Sequence, residues 1–393
     1  RDQRKRIILD KLFFTEEHEM LRDMVRDFAE NEVEPLAREM DKTENIPKGL
    51  IDKMGELGIM GIPVPEKYGG VGMDTVAYAT AIMELAKVDA SVAITVAAHT
   101  SLGTMPIVLA GTEEQKMKYV PDLSSGKVLG AFGLTEPEAG SDAGATKTTA
   151  VKNGDEYVIN GSKIFITNSG ISGYLNLTAQ IIEDGKPIGV GAFITETNNP
   201  GLIISPKEKK MGWRASDTHQ LFFKDMCVPA ENMIGNPQDG FKTFLNTLTG
   251  GRISIGALSV GTAEGSYSKA LNYACEREAF GKQINHFQSV GFKLADMATR
   301  IEAAKLLVYH SAWMKDNGQD VIKEAAMAKL FASECAMDVT TDSIQIHGGY
   351  GYVKEYDVER FFRDAKVLEI GEGTSEIQRL IISREIVKSV KKI

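Results

Sequence analysis

The chain has 393 residues, of which 43% are hydrophobic and 25% charged. This composition is ordinary for a globular protein and excludes disordered and coiled-coil classes. At roughly 150 residues per domain, the length predicts two or three domains. The 45 Lys and Arg against 54 Asp and Glu give a net charge of −9, the wrong sign for neutralising nucleic-acid phosphates over a large surface. We therefore expect a folded protein without a nucleic-acid partner.

Four features of the sequence bear on the compartment and on metals. The three cysteines are too widely spaced for a zinc knuckle or a disulfide framework, which favours a reducing compartment. Residues 1–12 lack the apolar run of a secretory signal. The most apolar long segment, residues 91–111, is interrupted by His99 and Pro106, so we interpret it as a buried helix and expect no membrane span. None of the six histidines has the spacing of a metal site.

Helical periodicity dominates the first third of the sequence. Apolar residues recur at helical spacing from about residue 15 to residue 127. Thr112 and Gln115 form a capping-box pattern, in which the hydroxyl and the amide satisfy the free amides at a helix start. We predict an N-terminal helical domain over residues 1–128.

The middle third changes to strand-type sequence. The pairs Asn153-Gly154 and Asn160-Gly161 are typical of hairpin turns, because both residue types tolerate positive φ. They would enclose a very short strand at residues 157–159. Further runs rich in β-formers follow, and together they predict a small antiparallel β domain over residues 129–236. These runs are residues 162–167, 190–197, 201–205 and 220–228.

Helical periodicity returns after Gly240 and continues to the end. Long segments at residues 290–315 and 321–345 are separated by turn signals at Asn317-Gly318 and Gly348-Gly349. This pattern predicts a helix bundle over residues 237–393. The fold class is therefore α+β, in the order helices, sheet, helices.

Two glycine-rich junctions are candidates for chemistry. Residues 133–142 expose amides and hydroxyls that could surround a pyrophosphate or a flavin carbonyl, although a plain structural loop fits as well. In residues 370–378, Glu372 stands between two glycines just before a helix, for which Ser375 and Gln378 form a second capping pattern. A carboxylate so placed can approach a ligand closely and act as a general base. A solvated loop glutamate is the alternative.

Several common motifs are absent from the sequence. No GxGxxG follows a strand, no GxxxxGK[ST] occurs, and no serine lies in GxSxG. Nicotinamide chemistry on a Rossmann fold, P-loop chemistry and α/β-hydrolase chemistry therefore lose support.

Five segments, in this order, resemble the acyl-CoA dehydrogenase family, and the resemblance extends over essentially the whole chain. It implies a homotetramer that binds FAD and oxidises an acyl-CoA thioester to its trans-2-enoyl derivative. Electrons would pass to an electron-transferring flavoprotein, in a bacterial cytoplasm or a mitochondrial matrix. The five segments are residues 134–142, 163–168, 277–282, 345–349 and 372–375.

The resemblance also implies roles for individual residues. Glu372 would remove the α-proton while the β-hydrogen leaves as hydride to the flavin. Its own backbone amide and a flavin ribose hydroxyl would hold the thioester carbonyl. Substrate-binding residues would be Ser141, Arg252, Gly373 and Arg384, with a surface ion pair as the alternative for either arginine. The expected FAD-binding residues are Leu134, Thr135, Ser141, Phe165, Thr167, Arg277, Phe280, Gln288, Gln345, Gly348, Gly349, Thr374 and Glu376, with Gln345, Gly348 and Gly349 coming from a neighbouring subunit.

The substrate is less constrained than the reaction. The C-terminal segments most resemble short-chain, butyryl-type members, which makes a short-chain acyl-CoA the first hypothesis. Gly371 stands where many short- and medium-chain members have tyrosine, so a branched or cyclic acyl group is the alternative. Some relatives carry the catalytic carboxylate where this chain has Gly251. A non-catalytic FAD- or CoA-binding helical protein, and an oxidase, are further alternatives.

Overall fold

The computed structural model describes residues 12–237 and 240–391, and these form two helical regions around a sheet. The predicted α, β, α order is confirmed. Helix gives way to strand between Ser124 and Gly130, and helix returns between Ile234 and Gly240. The helices are α1 Glu16–Phe28, α2 Ala37–Thr43, α3 Lys48–Glu56, α4 Thr75–Ala86, α5 Ala90–Ala97, α6 Met105–Ala110, α7 Glu113–Ser124, α8 Gly240–Glu276, α9 Gln288–Asp316, α10 Ile322–His347, α11 Val358–Lys366 and α12 Ser375–Lys391.

The N-terminal region contains the predicted cap and the predicted buried helix. The Thr112 hydroxyl accepts a hydrogen bond from the amide of Gln115 at 3.2 Å, and the Gln115 side chain accepts from the amide of Thr112 at 3.0 Å. Helices α5 and α6 are joined through a π-helical segment, Ala98–Thr104, into one helix, Ala90–Ala110. Among the described residues, this helix alone is long and apolar enough to cross a membrane, but 78% of its most apolar window is buried inside the fold.

The middle region is a mostly antiparallel sheet with the order β6-β7-β3-β2-β4-β5-β8. Two pairings are parallel: β1 and β2 both lie along one edge of β4, β1 beside its first half and β2 beside its second half. The chain therefore leaves the sheet between β1 and β2. The strands are β1 Gly130–Gly133, β2 Thr149–Asn153, β3 Glu156–Thr167, β4 Tyr174–Glu183, β5 Lys186–Glu196, β6 Leu202–Ile204, β7 Thr218–Pro229 and β8 Met233–Ile234, with a separate hairpin of β9 Glu278–Ala279 and β10 Lys282–Gln283.

One of the two predicted hairpin turns is wrong. Asn153-Gly154 turns the chain between β2 and β3, with Gly154 at φ +62°. Asn160-Gly161 instead lies inside β3, which runs for 12 residues rather than three. Gly161 sits at an irregularity in the pairing with β7, at φ +146°, and a Cβ there would lie 2.6 Å from the Thr148 hydroxyl. Its glycine is therefore explained by a bulge rather than by a turn.

The two helical regions share one hydrophobic core. Val25 and Met83 from the first region pack in the same buried cluster as Val260, Ala304 and Val339 from the last. The sheet has its own core, and a third cluster joins it to helices α6 to α8. In that cluster the rings of Phe132 and Phe244 stack at 4.1 Å. Regions far apart in the sequence are thereby joined into one body around the sheet.

The predicted cap of the last helix is displaced by one residue. The Thr374 hydroxyl, not that of Ser375, accepts a hydrogen bond from a first-turn amide, that of Ile377 at 3.4 Å. The Gln378 side chain does not complete a capping box. Its amide nitrogen donates instead to the carbonyl of Gly373, at 2.8 Å, in the turn that precedes the helix.

Candidate active site

Glu372 lies in the turn between α11 and α12, in a backbone conformation that is rare for a side-chain-bearing residue. Its φ is +52°, and that of the following Gly373 is +95°. Both carboxylate oxygens of Glu372 are buried and have no hydrogen-bond partner among the described residues. Buried polar atoms are nearly always paired in folded proteins. The side chain is therefore not a solvated loop glutamate, and its oxygens are left available for a ligand.

Helix α8 makes room for this carboxylate with a glycine. A Cβ on Gly251 would lie 2.1 Å from Oε2 of Glu372, closer than any real contact. The next residue, Arg252, is buried, and its Nε has no partner among the described residues. Its Nη1 donates to the Thr249 hydroxyl at 3.3 Å. An arginine and a carboxylate with unused hydrogen-bonding capacity therefore occupy the same buried region.

Two residues to which sequence analysis gave no place in the site hold the turn. Nζ of Lys329, on α10, donates to the carbonyl of Gly373 at 2.8 Å, and Nε2 of Gln378 donates to the same carbonyl at 2.8 Å. Both side chains are fully buried. A signal for Lys329 existed, since it lies in the alanine-rich segment of α10 where its neighbours Ala325 and Ala332 are buried. A lysine in phase with core residues is unusual and marks a partner inside the fold.

The electrostatics of this region keep Glu372 near its ionisation point at neutral pH. Burial raises the pKa of Glu372 to about 7, and the charges of Lys329 and Arg252 oppose that rise. Burial lowers the pKa of Lys329 to about 8, with the charge of Glu372 opposing. Burial also lowers the pKa of Arg252 and raises that of Tyr78, the phenol on α4 that faces the same carboxylate. A carboxyl group with a pKa near 7 is suited to act as a general base.

The loop that leaves the sheet between β1 and β2 carries the predicted residues Leu134, Thr135 and Ser141. It is anchored by a buried ion pair, in which Nζ of Lys163 lies 2.7 Å from Oε1 of Glu136. The same ammonium donates to the carbonyl of Leu134 at 3.0 Å, and the carbonyl of Thr135 accepts from the amide of Ile164 at 2.9 Å. Sequence analysis quoted both charged residues within its motifs but gave them no role.

Strand β3 presents the other predicted flavin contacts. Its pairing with β7 is irregular between Lys163 and Ile166, and Phe165 in this bulge has φ +61°. Phe165 is 64% exposed, which is unusual for a phenylalanine in a central strand. Thr167 ends the strand and is half-buried. A bulge redirects a side chain away from the sheet surface, so it explains how this aromatic ring becomes available.

A third group of predicted residues lies elsewhere on the chain. Arg277, Gly348 and Gly349 line an open cavity of about 900 Å³ together with Tyr273 and Tyr350. About 33 Å of helix α8 separates Gly251 from Tyr273 in the lining of this cavity, at 1.5 Å per residue. The sequence analysis assigned Arg277 and the two glycines to different subunits, whereas the structure brings them together on one chain.

The remaining predicted residues are accessible. Ser141, Gln288, Gln345, Glu376 and Arg384 are exposed, and the Phe280 ring is 95% exposed at φ +52°. Thr374 is half-buried beside the turn. In residues 12–237 and 240–391, no cluster of His, Cys, Asp and Glu could hold a metal ion.

Comparison with protein families matches all three parts of the chain. The N-terminal domain of acyl-CoA dehydrogenases matches residues 15–127, the middle domain residues 131–226 and the C-terminal domain residues 238–387. The chain belongs to the acyl-CoA dehydrogenase family, whose members are flavin-dependent oxidoreductases.

Curated relatives span nearly the whole chain. The probable acyl-CoA dehydrogenase YngJ of Bacillus subtilis is 52% identical over 95% of this chain and 99% of its own length. The short-chain specific acyl-CoA dehydrogenase of Clostridium acetobutylicum is 50% identical over 95% and 98%. The mitochondrial short-chain specific enzyme of Rattus norvegicus is 43% identical over 96% and 91%.

Solved structures share the fold closely. Butyryl-CoA dehydrogenase from Megasphaera elsdenii has a TM-score of 0.93 and 45% identity, covering 95% of this chain and 99% of its own. A chain from the structure described as the electron transferring flavoprotein of Acidaminococcus fermentans has a TM-score of 0.93 and 48% identity, with 95% and 98% covered. An acyl-CoA dehydrogenase from Bacillus anthracis complexed with FAD has a TM-score of 0.91 and 37% identity, covering 96% of this chain and 69% of its own.

Proposed function

We propose that this protein is an FAD-dependent dehydrogenase of short-chain acyl-CoA thioesters, with Glu372 as the base that removes the α-proton. The observation that carries the proposal is the buried Glu372 carboxylate, whose two oxygens have no partner among the described residues. Relatives named for short-chain or butyryl substrates, at 43 to 50% identity over nearly the whole chain, support the substrate class.

The residues present fit a flavin and a thioester between the turn and the sheet loop. Unpartnered buried polar atoms occur on the helical side at Glu372 and Arg252, and on the middle-domain side at Asn168 Oδ1. On the sheet side, Phe165 offers an exposed ring face and Thr135 and Thr167 offer hydroxyls. FAD, when bound, accepts the β-hydrogen as hydride. The related structure that contains FAD supports this choice of cofactor.

Glu372 and its backbone can each serve the proton transfer. An α-proton beside a thioester is weakly acidic, so the carbonyl oxygen must be held by donors as negative charge develops. No described residue accepts a hydrogen bond from the backbone amide of Glu372, which leaves that amide free to donate to the thioester carbonyl. With a pKa of about 7, the carboxylate is both ionised enough to accept a proton at neutral pH and basic enough to hold it.

The adenosine end of the cofactor would be held by a neighbouring subunit. Arg277, Gly348 and Gly349 line one cavity, about 33 Å along α8 from Gly251. We infer that an FAD whose flavin lies beside Glu372 reaches this cavity on a neighbouring chain, since most of α8 separates the two places on its own chain. We therefore assign Arg277 to the neighbouring subunit together with the glycines.

A homotetramer supplies that neighbour. Large apolar side chains are exposed on three helices of the C-terminal bundle, and faces of this kind mark protein interfaces. Analytical ultracentrifugation of the holoenzyme tests the assembly, and a monomer at working concentration would contradict it. The exposed side chains include Phe292 and Trp313 on α9, Phe331 on α10, and Leu380 and Val387 on α12.

An electron-transferring flavoprotein is the proposed acceptor, in a bacterial cytoplasm or a mitochondrial matrix. The similarity to a chain in the Acidaminococcus fermentans flavoprotein structure supports the acceptor. The bacterial and mitochondrial relatives support the compartments. Reduction of an added electron-transferring flavoprotein, without peroxide formation in air, separates a dehydrogenase from an oxidase.

The proposal is tested by anaerobic reduction of the bound flavin with butyryl-CoA. We expect bleaching by the wild-type protein and a loss of at least about 10²-fold in rate for Glu372→Gln, since general-base catalysis contributes that much or more. A Glu372→Gln variant that is reduced at the wild-type rate would remove Glu372 from the mechanism. A protein that is colourless and cannot be reconstituted with FAD would favour a non-catalytic binding role.

A branched or cyclic acyl group is the second candidate. A Cβ on Gly371 would meet only the carbonyl of Val367, at 3.4 Å, and its φ is not positive. The glycine is therefore not required by the local backbone, which favours a role in leaving space for substrate. Comparing flavin reduction rates for butyryl-, isobutyryl- and cyclohexanecarbonyl-CoA decides between the two candidates.

A further inference from the structure

Lys329 is a lysine without exposure to solvent in the middle of a long helix. Its neighbours Ala325, Ala328 and Ala332 are fully buried as well. Burying an ammonium group in such surroundings is costly unless it meets a specific partner. Its one hydrogen bond among the described residues goes to the carbonyl of Gly373, at 2.8 Å. The buried ammonium group of Lys329 is thus directed at the turn that carries Glu372, the proposed base.

That turn needs support from outside its own backbone. Glu372 at φ +52° and Gly373 at φ +95° are both in the left-handed region, which a glutamate enters only where the surroundings impose it. The Gly373 carbonyl is held by two donors at 2.8 Å, Nζ of Lys329 and Nε2 of Gln378. Nε2 of Gln378 lies 3.4 Å from the Glu372 carbonyl as well. These two side chains fix the direction in which the carboxylate points.

Lys329 differs from Gln378 in bringing a charge. Three groups face the Glu372 carboxylate from separate helices: Arg252 on α8, Lys329 on α10 and the phenol of Tyr78 on α4. The charges of Glu369 and Glu376 also act on Lys329. The two cations oppose the effect of burial on Glu372, and neither forms an ion pair with it within 4 Å. They therefore act on the carboxylate by charge alone.

We propose that Lys329 is a positioning residue for the reaction in which Glu372 is the base, an inference that rests on the function proposed above. Its ammonium group fixes the turn through the Gly373 carbonyl, and its charge remains beside the carboxylate throughout the proton transfer. In that step the α C–H bond of the thioester breaks and an O–H bond forms on Glu372. The electron pair remains on the substrate, delocalised toward the thioester oxygen.

The fixed charge has a consequence for the transition state. Before the transfer, Lys329 and Arg252 face the negative charge of Glu372. After the transfer Glu372 is neutral, and the same two cations face the negative charge that has moved to the substrate. The protein needs no rearrangement to follow that movement, which is the condition for effective electrostatic stabilisation.

The experiment measures flavin reduction by saturating butyryl-CoA from pH 5.5 to 9.5 in the wild-type holoenzyme and in Lys329→Met. We expect the acidic limb of the rate profile to move up by about one pH unit in Lys329→Met, since a nearby cation shifts a carboxyl pKa by that order. The loss of rate is then about tenfold larger at pH 6 than at pH 9. An infrared titration of the Glu372 carboxyl stretch, assigned by its absence in Glu372→Gln, reports the same shift in the resting enzyme without turnover.

Three variants separate the effect of the Lys329 charge from the effect of its hydrogen bond to the turn. Gln378→Met removes the other donor to the Gly373 carbonyl without changing the charge. The flavin reduction rate of this variant therefore falls equally at all pH values, and the acidic limb of its rate profile does not move. Lys323→Met removes a half-buried lysine from the same helix, whose one ion pair among the described residues is with Glu324, and leaves the profile unchanged. Lys329→Arg keeps the charge and the acidic limb. It also moves any alkaline limb near pH 8 out of range, because arginine does not deprotonate there.

The outcomes are distinguishable. A folded Lys329→Met protein with full flavin content and a wild-type acidic limb overturns the inference about Lys329, while a slow Glu372→Gln variant leaves the proposed function intact. If Lys329→Met does not fold, Lys329→Arg decides: an alkaline limb that stays at its wild-type position in that variant overturns the inference. A fast Glu372→Gln variant overturns both.

Discussion

Two buried glutamates of this protein, Glu136 and Glu372, have opposite surroundings. Burial alone would raise the pKa of Glu136, but Lys163 and hydrogen bonds from Thr146 and the amide of Lys147 outweigh it and lower the pKa to about 2. Around Glu372 burial prevails, and its pKa rises to about 7. The first carboxylate has a donor for each oxygen, and the second has none among the described residues.

The difference separates a carboxylate that holds the fold from one that is available for chemistry. Glu136 joins the loop after β1 to strand β3 and remains charged throughout the physiological range. The Glu372 carboxylate is buried with cations near it but without a hydrogen-bond partner among the described residues, so it is near its ionisation point at neutral pH. Strongly perturbed, unpaired groups concentrate at functional sites, whereas satisfied ion pairs are typical of structural ones. Three experiments test this division, in order of decreasing effect.

The largest expected effect on the free energy of unfolding comes from removing Lys163, the cation of the buried ion pair with Glu136. Lys163→Met leaves Glu136 buried without its cation, and breaking a buried pair in this way costs about 3–5 kcal/mol in the free energy of unfolding. Chemical denaturation measures the loss. Lys152→Met is the matched control on the neighbouring strand β2, because its ion pair with Glu183 is largely exposed and contributes at most about 1 kcal/mol. Equal losses in the two variants would contradict the structural role of Glu136.

The pH dependence of stability has opposite signs at the two carboxylates. The folded-state pKa of Glu372, about 7, lies above its ordinary value of 4.5. Its contribution is therefore fully present below pH 4.5 and is lost as the pH rises to about 7. The folded-state pKa of Glu136 is depressed to about 2. Its contribution is present above pH 4.5 and is lost as the pH falls toward 2.

Glu372→Gln isolates the first of these contributions. Relative to wild type, its free energy of unfolding should increase by about 3 kcal/mol between pH 4.5 and pH 8, from 1.36 kcal/mol per pKa unit. Glu136→Gln should instead lose stability relative to wild type above pH 4.5, with the difference shrinking as the pH falls below that value. Denaturation at a series of pH values measures both. Parallel curves for wild type and Glu372→Gln would show that Glu372 is not held near its ionisation point.

Displacement of the unpaired carboxylate has the smallest expected effect on free energy. The new methyl group in Gly251→Ala would lie 2.1 Å from Oε2 of Glu372 and force it to move. A shift of about 1 Å in a reacting group costs about 10²-fold in rate. Gly250→Ala is the matched control, because its methyl group meets only the flexible end of Lys315, at 3.1 Å. Similar flavin reduction rates in the two variants would show that Glu372 is not placed by this packing.

Local rules predicted much of the secondary structure. The Thr112 cap and the turns at Asn153-Gly154 and Asn317-Gly318 depend on short-range chemistry, and all three are present. Asn160-Gly161 has the same local chemistry as a turn, but pairing with β7 carries the strand through it. The parallel pairing of β1 and β2 with β4 could not be predicted, because it joins segments that are distant along the chain.

The candidate site was only partly predictable, because some of its features are local in the sequence and others depend on contacts between distant segments. Glu372 is conspicuous in the sequence because two glycines flank it. The function of Gly251 depends on a contact across 121 positions of the chain, and that of Lys329 on a hydrogen bond across 44. The helical phase of Lys329 signals burial, but no local pattern identifies the partner of either residue. The pKa of Glu372 likewise depends on burial by other helices rather than on its neighbours in sequence.

The sequence by itself determined the order of the three regions, the start of helix α7, the approximate extent of helices α9 and α10, and the glutamate in its glycine-flanked turn, because these follow from periodicity, capping and backbone freedom over a few residues. Only the tertiary structure decided that Glu136 is paired and Glu372 is not, that a buried lysine supports the turn, and that Arg277 lies far from Glu372 on the same chain. Burial and charge act between segments that meet only after folding, so their effect on a side chain is fixed by its neighbours in space.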